Sequence, residues 1–195
     1  MKKLYCFDFD GTLTNRDTMF LFLKFYNFRK FAVQFLKYSP LFVLVKLKLM
    51  KAENVKKSFI AAVLKGESRV DIERASQQFF HKHYPKIIRK NALEFIAAID
   101  RSHTDGVVVS ASLDLWVRPF ATHFNMKLLA TQAEFKEDKF TGLFVGDNCN
   151  GAEKVCRLDK EISRKNYDKI IAFGDTSGDL PMLNWADEGH LKFFH

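Results

Sequence analysis

The stretch Leu4-Tyr5-Cys6-Phe7-Asp8-Phe9-Asp10-Gly11-Thr12-Leu13-Thr14 sets four apolar residues directly before two acids and a glycine. Such a run reads as a buried strand that stops at a polar loop. The pattern recurs twice. Gly106-Val107-Val108-Val109 leads into Ser110-Ala111-Ser112, and Ile170-Ile171-Ala172-Phe173 leads into Gly174-Asp175. Near-continuous apolar runs mark strands covered on both faces, and open α/β sheets bind ligands at the carboxyl ends of parallel strands. The expected fold class is therefore α/β, a Rossmann-like parallel sheet with Asp8, Ser110 and Asp175 at neighbouring strand ends.

Between the first two runs the apolar spacing becomes helical, with Leu21, Phe25, Phe28, Ala32, Phe35 and Leu36 on one repeating face. Residues 14–84 read as an all-helical cap inserted after the first strand. It is expected to break at Ser39-Pro40 and at Lys65-Gly66-Glu67-Ser68, and to close at Tyr84-Pro85. The α/β core then takes residues 1–13 and 85–195. A helix over 86–99 returns the chain to the sheet with Ile88, Ala92, Phe95, Ile96 and Ile99 as its buried stripe. Leu128-Leu129-Ala130-Thr131 reads as a further strand, the segments 133–135 and 140–144 as a hairpin, and 151–164 as a helix.

Composition bounds the class. The 195 residues are 47% hydrophobic and 28% charged, with 9 Gly and 4 Pro, which gives a core and excludes fibrous or disordered classes. Three cysteines, Cys6, Cys149 and Cys156, cannot build a disulfide framework, so a reducing, cytoplasmic setting is expected. No apolar run reaches the ~18 residues of a membrane span, because Lys24, Arg29, Lys30, Lys37, Lys46 and Lys48 cut the greasiest segment. The short apolar run after Met1-Lys2-Lys3 meets Asp8 and Asp10, unlike a secretory signal.

Charge is concentrated. Residues 21–57 hold nine bases against one acid, Glu53, an excess equal to the formal +8 of the whole chain, so the other 22 bases and 22 acids balance. The same segment is rich in aromatic residues. It reads either as a helical insert with a solvated basic face or as a face that meets anionic lipid, a peripheral contact at the membrane inner face. No nucleic acid partner is expected.

Asp8 and Asp10 share one loop, where like charges repel unless a cation lies between them or one acid is protonated. Magnesium suits such oxygen donors and organises phosphoryl transfer. Asp175 and Asp179, in Gly174-Asp175-Thr176-Ser177-Gly178-Asp179, add two carboxylates at another strand end. A carboxylate can attack phosphorus and split hydrolysis into two easier steps through an aspartyl phosphate. Gly11 and Thr12 are expected to offer backbone N–H groups to the phosphate. Read singly, Ser110 and Ser112 serve equally well as helix caps, and Lys154 as a surface lysine.

Taken in order, Asp8-Phe9-Asp10-Gly11-Thr12, Ser110, Lys154 and the pair Asp175 and Asp179 resemble the four motifs of the haloacid dehalogenase-like phosphatases. The helical insert resembles the cap of the phosphoserine-phosphatase-like branch. The resemblance implies Mg²⁺-dependent phosphomonoester hydrolysis, with Asp8 as nucleophile and Asp10 as general acid and base. It further implies Mg²⁺ ligation by Asp8, Asp175 and the Asp10 carbonyl, with support from Asp179. Phosphate would be held by Ser110, Ala111 and Lys154 together with Gly11 and Thr12.

The expected partner is a small phosphorylated metabolite or a phospholipid headgroup. Phosphoserine-specific members carry a Glu after the first motif, an Arg in the cap and an Asn before the last Asp. Here Asp17 stands at the first position, no Arg appears over 59–63, and Gly178 stands at the third. The cationic, apolar cap is also similar to that of phosphatidylglycerophosphate phosphatases, which gives a lipid phosphatase as an alternative beside phosphoserine phosphatase. Outside catalysis, the acid cluster with a later Ser and Lys also describes phospho-accepting signalling domains, and a lipid-binding protein is a further reading.

Overall fold

The computed structural model describes residues 1–195. A six-stranded sheet of order β4-β3-β2-β1-β5-β6 forms its centre. β1 (Lys3–Phe7) pairs in parallel with β2 (Thr104–Leu113) on one side and β5 (Lys169–Gly174) on the other. β3 (Lys127–Lys136) lies parallel beside β2, β6 (Glu188–Leu191) parallel beside β5, and only β4 (Lys139–Val145) runs antiparallel. The expected α/β class is observed. The strand order turns back at β1, so the crevice between its end and its neighbours is the place where such sheets hold ligands.

Register delivers the motifs. Phe7 lies opposite Val108 and Phe173, and the Asp8 N–H donates to the Phe173 carbonyl at 2.9 Å. The first residues beyond β1 and β5, and the last buried serine of β2, therefore converge. Alternate β1 side chains enter opposite layers. Leu4 and Cys6 join Val107, Val109, Leu158, Ala172 and Met182 on one face, while Phe7 joins a larger cluster on the other.

That larger cluster of 30 buried residues does not stop at the sheet. It runs from Phe7 and Phe173 through Trp116 and Phe120 into Phe22, Phe59 and Phe79, which sit on three of the first four helices between β1 and β2. The four are α1 (Thr18–Tyr26), α2 (Phe28–Lys46), α3 (Ala52–Leu64) and α4 (Arg69–His83). A hairpin clamp adds to this packing. Gly66 N–H donates to the Phe140 carbonyl at the head of β4, and Phe140 N–H returns to the Glu67 carbonyl, both at 2.9 Å.

Local signals were overridden in three places. The expected break at Ser39-Pro40 is absent, because α2 passes through Pro40. Proline cannot donate to the Leu36 carbonyl, and the Ser39 hydroxyl takes that acceptor at 2.9 Å. The helix expected over 86–99 is shorter, α5 (Lys90–Ala97). The preceding residues pair with the chain leaving the sheet, with Asn15 N–H on the Ile87 carbonyl and Arg89 N–H on the Leu13 carbonyl. Residues 127–136 form one strand rather than a strand and a separate hairpin arm. Three elements had no clear signal: α6 (Asp114–His123), which contains Pro119, α8 (Leu180–Trp185) and the polar edge strand β6. The helix expected over 151–164 is α7 (Ala152–Glu161).

Candidate active site

Asp8 leaves the end of β1 almost fully buried. Lys154, on the first turn of α7, crosses beneath it and donates at 2.6 Å to Asp8 Oδ1, 2.6 Å to Asp179 Oδ1 and 2.9 Å to the Val109 carbonyl. All three ammonium protons are therefore used, which is what burying a lysine requires. Burial works against its charge, but Asp8 and Asp179 outweigh it and hold the ammonium protonated. The Lys154 charge in turn keeps Asp179 below the usual carboxylate range despite burial. Asp8 behaves differently. Burial pushes its carboxyl up to about 7 against the pull of Lys154, with Asp179 and Asp10 adding like charge.

A second turn closes the loop. Gly11 has φ +86°, and a β-carbon there would collide with the Asp175 carboxylate, so only glycine fits. Thr12 Oγ1 reaches Asp8 Oδ2 at 2.9 Å and Asp175 Oδ1 at 3.3 Å. One carboxylate oxygen each from Asp8, Asp175 and Asp179 lie within 4.8 Å of one another. Hard oxygens at that spacing, with like charges left partly uncompensated, fit a Mg²⁺ ion. Asp179 is the most committed of the three, since its Oδ2 accepts from Asp175 N–H, Thr176 N–H and the Thr176 hydroxyl at 3.1, 2.9 and 3.0 Å.

Residues 6–184 match the haloacid dehalogenase-like hydrolase family. The chain belongs to that family. It is 32% identical to the protein CicA of Caulobacter vibrioides over 193 residues, which covers 98% of this chain and 86% of CicA. Among solved structures it is similar to a Bordetella pertussis protein of unknown function, with a TM-score of 0.81 and 18% identity over 95% of this chain and 87% of that one. It is also similar to a phosphoserine phosphatase solved as a phospho-aspartyl intermediate analogue, with a TM-score of 0.66 and 22% identity over 95% and 83% of the two chains.

The hydrolase's cleft, about 230 Å³, opens between the sheet ends and the helices. Asp8, Asp10, Ser110, Ala111, Lys154, Asp175 and Asp179 all line it. Asp10 sits across from Asp8. Its Oδ1 accepts both the N–H and the hydroxyl of Thr18, at 2.7 and 2.6 Å, and its Oδ2 lies 2.6 Å from the Ser112 hydroxyl. Burial, and then the charge of Asp17, raise the Asp10 carboxyl above its ordinary value. Ser110 is buried, and its hydroxyl accepts the Ser112 N–H at 3.1 Å.

Gly11, Thr12 and Asp17 are not on the cleft wall. The Gly11 N–H is donated to Thr14 Oγ1 at 3.2 Å, and Thr12 is turned toward the carboxylates. Asp17 caps α1, accepting the Met19 N–H at 3.1 Å, and pairs with Lys56 at 3.0 Å. Lys56 and Lys57 of α3 stand on the wall instead, and sequence reasoning missed both because nothing local separates them from seven other bases of that segment. Asn150 was also missed as a site residue. A β-carbon at Gly178 would collide with the Asn150 carboxamide, so the glycine vacates room that an asparagine from the loop before α7 fills.

Proposed function

We propose that the hydrolase is a Mg²⁺-dependent phosphomonoesterase working through an aspartyl phosphate on Asp8. The observation that carries this reading is a buried carboxylate at a strand end, held 2.6 Å from a buried lysine and grouped with two further carboxylates. That arrangement suits a nucleophile beside a lysine and a Mg²⁺ site that together would offset phosphoryl charge. The fold likeness to a phosphatase solved as its phospho-aspartyl analogue is in keeping with it.

In the first half-reaction the phosphoryl group rests between Lys154 and Ser110. An Asp8 oxygen forms a bond to phosphorus as the ester oxygen departs. Asp10, whose carboxyl is raised above its ordinary value by burial, gives its proton to the leaving alkoxide. In the second half-reaction the Asp10 carboxylate takes a proton from water, which attacks phosphorus and restores Asp8 with release of inorganic phosphate. Asp8 and Asp175, supported by Asp179, would hold Mg²⁺, which neutralises phosphoryl charge when bound. The charge of Lys154 offsets that of the phosphoryl group, and Thr18 and Ser112 keep Asp10 aimed at the leaving group.

The small cleft and the two amines of Lys56 and Lys57 on its wall favour a small phosphorylated metabolite that carries a second anionic group. Purified protein with Mg²⁺ should release phosphate from para-nitrophenyl phosphate, and chelation should stop it. Turnover that survives chelation would contradict the reading. A panel of phosphorylated hydroxy acids, amino acids and sugars then ranks the natural substrate class.

A further inference from the structure

α2 is the longest helix of the chain, yet none of its residues is buried. Phe31, Phe35 and Phe42 lean on Phe20 and Phe59, which accounts for one face. The opposite face carries Val33, Leu36, Pro40, Val43 and Leu47 at helical spacing, and it is open: Leu36 is 75% exposed and Val43 57%. Leu49 and Met50 continue it beyond the helix end, with Leu49 70% exposed. A helix lying on a protein surface presents polar residues outward, and a contiguous outward apolar stripe marks a surface that meets something.

The bases say what that is. Arg29, Lys37, Lys46, Lys48 and Lys51 flank the stripe, and of the nine bases over 21–57 only Lys30 and Lys56 reach a carboxylate, at 3.3 and 3.0 Å. We propose that the outer face of α2 and the loop following it dock on an anionic lipid bilayer, with the aliphatic side chains entering the interface and the bases meeting the headgroups. A second copy of this chain fits less well, because a twofold contact would press two sets of unpaired bases together. No helix is long and apolar enough to cross the membrane, so the contact is a surface one. Residues 47–51 run straight into α3, whose Ala52, Glu53 and Lys56 line the cleft, so docking sets the cleft mouth close to the headgroup level.

The docking is independent of the catalytic reading and is tested apart from it. The full chain is sedimented with vesicles of equimolar phosphatidylglycerol and phosphatidylcholine, and with phosphatidylcholine alone, at low and high salt. It should pellet with the anionic vesicles at low salt and be released by high salt. Leu36→Glu with Val43→Glu, both on the solvent side, should keep the circular dichroism and the turnover of para-nitrophenyl phosphate but stay in the supernatant. Arg29→Gln, Lys37→Gln and Lys46→Gln together should weaken binding on the order of a hundredfold. The proposal is overturned if the wild type stays in solution at low salt, if it binds neutral vesicles equally, or if the double glutamate variant still pellets. A salt-stable dimer dissolved by that same variant, without vesicle binding, would assign the stripe to a second copy. An inactive protein that binds vesicles would overturn the catalytic reading alone.

Discussion

Thr18 donates both its backbone N–H and its hydroxyl to one oxygen of Asp10, at 2.7 and 2.6 Å. The hydroxyl is itself approached by the Trp116 indole N–H at 3.2 Å, and that indole stacks on Phe22 with ring centroids 5.1 Å apart. The aromatic core shared by sheet and helices thus reaches the proposed proton donor through one threonine. Thr18→Val should lower kcat roughly tenfold through loss of aim. Its hydrogen bonds favour the ionised Asp10, so removing one raises the carboxyl further and moves the basic limb of the pH profile to higher pH. A rate loss with an unmoved profile would contradict the link.

The burial of Asp8 has a pH signature in metal-free protein. Its carboxyl rises from an ordinary 3.8 to about 7 on folding, so folding favours the protonated form. Stability therefore falls as pH climbs from about 4 toward 7 and levels off above it. Asp8→Asn should flatten that slope in thermal melts across the range. Mg²⁺ takes the ionised form, so binding near pH 6 should release protons, read by calorimetry in two buffers of different ionisation enthalpy. An Asp8→Asn slope equal to the wild type would count against this assignment.

Most of this site was legible in the sequence because it sits where strands end. Asp8, Ser110 and Asp175 each follow an apolar run, and parallel register brings those ends together. The residues that position them were not legible. Thr18 lies ten residues beyond Asp8 on a helix, and its role exists only once α1 folds back over the loop. The same holds for Asn150, whose carboxamide occupies the space left by Gly178. Pro40 misled for the opposite reason, since a neighbouring hydroxyl repaired the hydrogen bond that proline loses.

Lys154 holds two carboxylates that would otherwise repel. Lys154→Ala should destabilise the fold by about 3–5 kcal/mol at neutral pH, as expected when one partner of a buried pair is removed. The loss should shrink at low pH as the orphaned acids protonate. Urea denaturation at two pH values checks both statements.

Gly178 and Asn150 form a complementary pair. Gly178→Ala forces the carboxamide away from the cleft and should reduce kcat/KM, whereas adding Asn150→Ala to it should cost little more. Additive losses in this double-mutant cycle would show that the two positions act separately.

Lys56 should report on the substrate's far end. Lys56→Gln should raise KM for phosphomonoesters bearing a carboxylate about tenfold or more, and leave para-nitrophenyl phosphate nearly unchanged. Equal losses on both would place its role in holding Asp17 and α1 rather than in recognition.

The most direct test of the central claim is rapid acid quenching during turnover, followed by peptide mass spectrometry. The peptide containing Asp8 should carry one phosphoryl group, borohydride reduction should mark Asp8 itself, and Asp8→Asn should abolish both the adduct and turnover. Sustained turnover in Asp8→Asn, or a phosphoryl group found on another residue, would contradict the claim.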